Sequence, residues 1–228
     1  MDFVYDLNGA KRVFIHLHGL ASGVTGSKVS FMRAYFKRKK SFDFYAPQLE
    51  YGAHTTTELL ELLAALVRGF SERYGEVWLS GSSHGAYAVL NLLRFYELPK
   101  VKRALLFAPS YCTLTLIVEH FGRECLEEWL EGRAAFRMVE EAGEVEFRAD
   151  WAKDVLERGY EIIRDGRVYF PSEPPCELVV VHGKKDEVVP FSLSELFVSK
   201  VKVKEFLAPE DDHRLSRSFT KVFEKLVP

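Results

Sequence analysis

The segment LSGSSHGAYAVL, residues 79–90, sets one serine between two glycines in the spacing Gly81-x-Ser83-x-Gly85. A free serine hydroxyl is a weak nucleophile; it attacks an acyl carbon only when a base takes its proton and a third group orients that base. Glycines two residues before and two after such a serine let the chain turn sharply from strand to helix and lift the side chain into a cleft. The plainer reading is a serine in a small-residue turn, since the spacing alone recurs by chance. Here a strand-like run, EVWLSG, precedes the serine and a helix-like run, AYAVLNLLRFYEL, follows it.

A base and an acid are both on offer. The histidines are His16, His18, His54, His84, His120, His182 and His213. His213 belongs to EFLAPEDDHRLS, a loop after the last strand candidate, where an imidazole can reach over the strand ends and still move. His84 follows Ser83 directly, but neighbours on a sharp turn point apart, so its backbone N–H is the useful part. His182 ends a strand and reads as packed or hydrogen-bonded. In VVVHGKKDEVVP, Asp186 occupies a short loop beyond a strand, where a carboxylate can accept an imidazole N–H and stabilise the imidazolium. Glu187 is its neighbour and competitor; Asp211 and Asp212 lie too close to His213 in sequence to be preferred.

A fourth element stabilises charge. HLHGLASG (16–23) ends the first buried strand at a glycine, and the N–H groups of Leu20 and His84 are candidates to hold an oxyanion. Such a donor is typically worth about 2.7–4 kcal/mol in the transition state. His16 and His18 also invite a metal reading, but no third ligand with suitable spacing accompanies them. Neither a metal nor a cofactor is expected.

These residues need a scaffold. VFIHLH (13–18), FDFYAP (42–47), VWLSG (77–81), ALLFAP (104–109), ELVVVHG (177–183) and VKVKEFL (201–207) read as strands. They alternate with helical patterns at 26–39, from a Thr55–Glu58 capping box onward, after Ser83, and at about 214–227. The alternation predicts a mostly parallel sheet with helices on both faces, in one α/β domain spanning residues 1–228. Residues 111–173 interrupt the rhythm. They hold helical candidates at about 114–131 and 150–164 and a strand-like RVYF (167–170), and they predict a small cap inserted over the carboxyl ends of the strands. The plainer alternative is elaboration at the sheet edge. Trp129, Trp151, Tyr160, Tyr169 and Phe170 fall in this stretch, either as an apolar acyl pocket or as its own core.

Composition narrows the classes. A net charge of −2 and a pI near 6.4 give no footprint for nucleic acid or an acidic membrane. The opening MDFVYDLNGAKRV is acidic where a secretory leader is basic, and no apolar run reaches spanning length. With Cys112, Cys125 and Cys176 read as reduced thiols, although a single Cys112–Cys125 bridge is open, the expectation is a cytoplasmic protein. Asn8, Asn91 and Gln48 are the only side-chain amides amid abundant Lys, Arg and Glu, a balance expected of a heat-adapted source. Nothing in the sequence sets the oligomeric state.

Taken together, HGLASGVTGSK, GSSHGAY, HGKKDEVVP and DDHRLS resemble the α/β-hydrolase superfamily over nearly the full chain. They look most like its small-cap serine esterases and thioesterases, among them bacterial carboxylesterases and the acyl-protein thioesterase and acyl-glucuronide deacylase type. Short bacterial esterases with a PQL segment, here Pro47-Gln48-Leu49, are similar too. The resemblance implies an α/β-hydrolase fold, a nucleophile at Ser83, an acid at Asp186, a base at His213, in the family's chain order, and backbone oxyanion donors at Leu20 and His84. It implies hydrolysis of a small acyl ester or thioester without a cofactor. His at 84, where Leu, Met or Gln is usual, and Ala at 86, where a further Gly is common, depart from the family pattern. A serine peptidase or amidase, or a non-catalytic small-molecule receptor on the same fold, are the alternatives. The first would need a site for a charged amino terminus, the second a broken triad.

Overall fold

The computed structural model describes residues 2–20, 22–140 and 143–227. Ala21 of the HLHGLASG segment and Glu141 and Ala142 of the insertion lie outside them. The chain runs β1 (Phe3–Asp6), β2 (Arg12–Leu17), α1 (Ser27–Lys39), β3 (Asp43–Pro47), α2 (Thr56–Arg73), β4 (Glu76–Ser82), α3 (His84–Phe95) and β5 (Val101–Phe107). The insertion follows with α4 (Thr113–Phe121), α5 (Arg123–Leu130), β6 (Phe136–Glu140), β7 (Gly143–Phe147), α6 (Ala149–Arg158), β8 (Ile163–Arg164) and β9 (Arg167–Val168). β10 (Glu177–Val181), α7 (Phe191–Lys200), β11 (Glu205–Leu207) and α8 (Phe219–Leu226) complete it.

Seven strands form one sheet in the order β1-β3-β2-β4-β5-β10-β11, parallel except for β1, which pairs antiparallel with β3. The strands are apolar on both faces because both are covered. In β2, Val13, Ile15 and Leu17 join a core with α2, α3 and α7, while Phe14 joins the other with α1 and α8. β10 alternates likewise: Leu178 and Val180 on one side, Val179 and Val181 on the other. The α1/α8 side is largely aromatic, with Phe14, Phe36, Phe42 and Phe223 within ring contact.

From β2 the chain passes to β3 on one side and returns to β4 on the other. The strand order reverses there, and the crevice beyond the carboxyl ends of β2 and β4 is where an open parallel sheet takes its ligands. The loop after β2 and the turn after β4 carry the HLHG and GSSHG segments into that crevice.

Local signals hold well where they are strong. The Thr55–Glu58 capping box forms in both directions, and Lys37, Arg38 and Lys39 crowd the last turn of α1. Other boundaries move. The single helix expected at 114–131 is two, broken at Gly122, whose φ of 93° no helix accommodates. The second ends early because Gly159 caps α6 in the left-handed region. The last helix starts at Phe219, not 214, because Asp212 and Asp211 draw the N–H groups of Ser216, Arg217 and Ser218 into a turn. Strand β1 and the β6–β7 hairpin were not expected from the sequence. All three cysteines are free thiols.

Candidate active site

Ser83 joins β4 to α3 at φ 52° and ψ −118°, a backbone conformation unfavourable for any residue with a Cβ. Its surroundings over-determine it. Ser83 N–H donates to the Phe107 carbonyl, and the Ser83 carbonyl accepts from Ala86, Tyr87 and Ser110. The two flanking glycines have steric causes. A Cβ on Gly81 would lie 2.4 Å from Ala86 N, and one on Gly85 would lie 2.1 Å from the Leu17 carbonyl oxygen. The first lets the turn close on itself; the second lets α3 press against β2.

Loop 18–20 runs alongside. A Cβ on Gly19 would stand 3.3 Å from Ser83 Cβ, so the backbone of Gly19 and Leu20 passes beside the serine. His18 holds this loop in a defined tautomer. Its Nδ1–H donates to the Gly19 carbonyl at 2.8 Å, and its Nε2 accepts the Leu49 N–H at 2.8 Å. Tyr51 Oη donates to the His18 carbonyl, and Gln48 Oε1 accepts from Val24 N. Residues 48–51 thus brace the loop after β2, a role the sequence did not reveal for His18 or Gln48. His84, as the first residue of α3, has no carbonyl a full turn earlier for its N–H, the general condition at a helix start.

The rings of His16 and His84 point elsewhere. His16 is buried, with Nδ1 2.8 Å from Ser80 Oγ; burial, with His18 and Lys28 nearby, lowers its pKa to about 3. His84 lies beneath the insertion, stacked on Tyr87 at 5.0 Å, with Tyr51 edge-on at 4.6 Å and Nδ1 2.9 Å from Thr113 Oγ1. Burial, helped by His18, lowers its pKa to about 3, so this ring stays neutral.

On the far side of the crevice, two loops interlock. Gly183 fits because a Cβ there would meet the Asp211 carbonyl oxygen at 2.3 Å, and Lys184 and Lys185 N–H bond to Pro209 and Asp211 carbonyls. This seam brings Asp186, after β10, to His213, after β11. Asp186 Oδ2 accepts the Nδ1–H of His213 at 2.7 Å, and Oδ1 accepts the N–H groups of Val188 and Val189 at 2.8 Å each. Burial alone would raise the Asp186 carboxyl, but hydrogen bonds from His182 and His213, with the Val189 N–H, outweigh it and hold the group well below the usual carboxylate range. The Asp186 side chain is fully buried, whereas that of His213 is 19% exposed. Glu187 is exposed, and the carboxylates of Asp211 and Asp212 serve their own turn.

The insertion packs against the loop after β3 and against α2. Gly52 touches β7 so closely that a Cβ would lie 2.2 Å from the Glu146 carbonyl oxygen. Asp154 of α6 accepts the N–H and hydroxyl of Thr57 at 2.8 and 2.6 Å. Trp129, Trp151, Tyr160 and Phe170 are buried. Trp151 packs on Phe147 at 4.5 Å inside the insertion, while Tyr160 meets Phe95 of α3 at 5.2 Å and Phe170 meets Phe197 of α7 at 5.6 Å, so these aromatics join the insertion to the main core. A cavity of about 580 Å³ remains between residues 48–53 and β7, with Ser22, Gln48, Tyr51, Glu146 and Arg148 in its wall.

Solved structures of α/β hydrolases share this architecture. The chain is similar to an Agrobacterium vitis S4 protein classed among the hydrolases, at 19% identity and a TM-score of 0.74, over 95% of this chain and 88% of that one. It is similar to Est1E from Butyrivibrio proteoclasticus with ferulic acid bound, at 16% identity and a TM-score of 0.69, over 99% and 92%. Mouse alpha/beta hydrolase domain-containing protein 10 follows at 13% identity and a TM-score of 0.68, over 99% and 90%. No protein-family model matches the chain, and no curated protein matches it in sequence. The chain has the α/β-hydrolase fold.

Proposed function

We propose that the protein is a serine hydrolase that cleaves carboxylic esters or thioesters of small molecules, with Ser83 as nucleophile, His213 as general base and acid, and Asp186 as the acid that orients it. The observation that carries this reading is the conformation of Ser83, φ 52° and ψ −118° between β4 and α3. A strained non-glycine residue persists only where its surroundings enforce it, and such sites cluster at reacting groups.

The hydrogen bond from His213 to Asp186 supports the following sequence. Because His213 gives its Nδ1–H to Asp186, its Nε2 carries the lone pair and accepts the Ser83 proton as Oγ attacks the acyl carbon. The negative charge that develops on the carbonyl oxygen is met by the N–H groups of Leu20 and His84. His213 then protonates the departing alcohol or thiol. Water, deprotonated by the same nitrogen, attacks the acyl-enzyme, and the carboxylic acid leaves as Ser83 regains its proton. Asp186 stays ionised throughout, stabilising the imidazolium that forms twice per turnover. The buried, neutral ring of His84 takes no part in proton transfer.

The Butyrivibrio structure, similar in fold, holds a carboxylic acid, ferulic acid, which is the product class this chemistry releases. Residues 111–173 act as a cap over the crevice. Because its aromatics are buried in packing against α3, α7 and one another, short to medium acyl chains are preferred. The test is a panel of p-nitrophenyl esters and acyl thioesters from acetyl to palmitoyl: a maximum at short or medium length is expected. Equal rates across the series would remove the chain-length claim, and no turnover of any member would remove the esterase reading.

A further inference from the structure

Asp186 has a second imidazole on the same oxygen. His182 Nε2 stands 2.9 Å from Asp186 Oδ2 and 3.1 Å from the Val189 carbonyl oxygen. Both are acceptors only, so Nε2 carries a proton. The other nitrogen, Nδ1, is 2.7 Å from Ser194 Oγ, and Ser194 Oγ is 2.8 Å from Tyr111 Oη. If His182 were doubly protonated, Ser194 Oγ would accept from Nδ1, and the hydroxyl proton of either Ser194 or Tyr111 would be left without an acceptor in this chain of contacts. The arrangement that uses every proton runs one way: Tyr111 O–H to Ser194, Ser194 O–H to His182 Nδ1, and His182 Nε2–H to Asp186.

The whole chain is buried. The side chains of His182 and Asp186 have no exposed surface, and Ser194 and Tyr111 are equally enclosed. It begins at Tyr111, the residue at which the chain leaves the sheet for the insertion, and it crosses α7 through Ser194. The ionisable groups around His182 are Asp186, His213 beyond it, and Tyr111; Phe191 lies edge-on at 5.6 Å. An ordinary core histidine needs no such ordered set of donors.

We infer that His182 is a positioning residue for the hydrolysis proposed above: it fixes the Asp186 carboxylate and takes up part of its charge, so that His213 faces a tempered partner. The inference rests on the serine-hydrolase reading. Oδ2 receives two N–H donors, and Oδ1 is held by Val188 and Val189, so the carboxylate cannot rotate away from His213. Each donor disperses charge on the carboxylate. Without His182, Asp186 becomes the stronger partner for the imidazolium, and the catalytic imidazole holds its proton to higher pH.

The experiment compares wild type with His182→Phe, His182→Gln and Ser194→Ala, using p-nitrophenyl acetate, with active sites counted by fluorophosphonate titration. His182→Phe is expected to lose about tenfold to a hundredfold in kcat per active site, the equivalent of one hydrogen bond to a charged group. KM should hold, and the acidic limb of kcat/KM should move upward by about half a pH unit or more. His182→Gln, whose amide can still donate to Asp186, should restore most of both. Ser194→Ala, which keeps the ring but frees its tautomer, should shift the limb in the same direction by less, and it serves if the Phe variant does not fold. A lowered Tm with the limb and the kcat per active site unchanged would make His182 merely structural and overturn the inference. A wild type inert to fluorophosphonate would bring down the hydrolase reading, and this inference with it.

Discussion

Asp186 accepts the Nδ1–H of His213 at 2.7 Å across a seam between two loops that share no secondary structure, one after β10 and one after β11. The seam is built of backbone: the Lys184 and Lys185 N–H groups bond to the 209–211 segment, and Gly183 leaves room for it. Asp186→Asn keeps the shape and removes the charge, and an amide facing Nδ1 favours the wrong tautomer. The kcat/KM for an activated ester should fall by about 10³–10⁴-fold, and Tm should fall as well, because the amide turns a donor toward the N–H groups of His182 and His213. Parallel steady-state kinetics and thermal melts check this; activity within a few-fold of wild type would remove Asp186 from the mechanism.

The contact of Gly85 with β2 predicts a stability effect. A methyl group there would lie 2.1 Å from the Leu17 carbonyl oxygen and 2.5 Å from that of His18, both backbone atoms that cannot swing aside. Gly85→Ala must push α3 off the sheet, at a cost of about 3 kcal/mol or more. Urea denaturation measures it directly. Gly69, with no atom within 4 Å of an added Cβ, is the matched control: Gly69→Ala on the exposed side of α2 should be neutral or slightly stabilising.

Glu161 predicts a pH dependence of stability. It is buried, and it accepts the N–H groups of Leu114 and Thr115 at the start of α4. Burial raises its pKa to about 7, despite the opposing hydrogen bonds from Thr115 and Leu114. For an acid raised on folding, the native state binds the extra proton, so stability is fullest below the unfolded value and declines as pH climbs through the folded one. Wild type should therefore lose on the order of 3 kcal/mol between about pH 4.5 and pH 7.5 relative to Glu161→Gln. Parallel stability curves for the two proteins would contradict it.

Thr57 and Asp154 predict how the insertion is fastened. Asp154→Ala removes the carboxylate that receives both the N–H and the hydroxyl of Thr57. Its loss should weaken docking of α6 on α2 by about 1–3 kcal/mol and open residues 111–173 to protease while the sheet stays protected. Limited proteolysis with mass spectrometry reads this. Unchanged cleavage kinetics would mean that Gly52 against β7 and the buried aromatics suffice.

How far the sequence carries depends on the range of the interaction. β2 and β10 were legible because strands buried on both faces are continuous apolar runs, and the start of α2 because its capping box spans four residues. The GSSHG, HGKKD and DDHR segments stood out as candidates because each lies at the end of a strand candidate or in the loop just after it. The β6–β7 hairpin was not: FRMVE and GEVEF are short and carry two charges each, and their pairing with each other makes strands of them. β1 is a four-residue edge strand whose partner, β3, lies some 40 residues onward in the chain. His182 read as a packed strand-end residue; its bond to Asp186 follows from how the 183–189 loop folds back, and its tautomer from Tyr111 and Ser194, which no spacing connects to it. His18 was hidden for the same reason, its partners Leu49 and Tyr51 arriving from another loop.

Ser83, if activated, reacts with a fluorophosphonate, and the adduct can be mapped on the purified protein by peptide mass spectrometry beside Ser83→Ala and His213→Ala. The expected result is a single phosphonylated peptide bearing the adduct on Ser83, absent from Ser83→Ala and nearly absent from His213→Ala. Failure of the wild type to label, under conditions in which a known serine hydrolase labels fully, would contradict it, as would an adduct on any other residue.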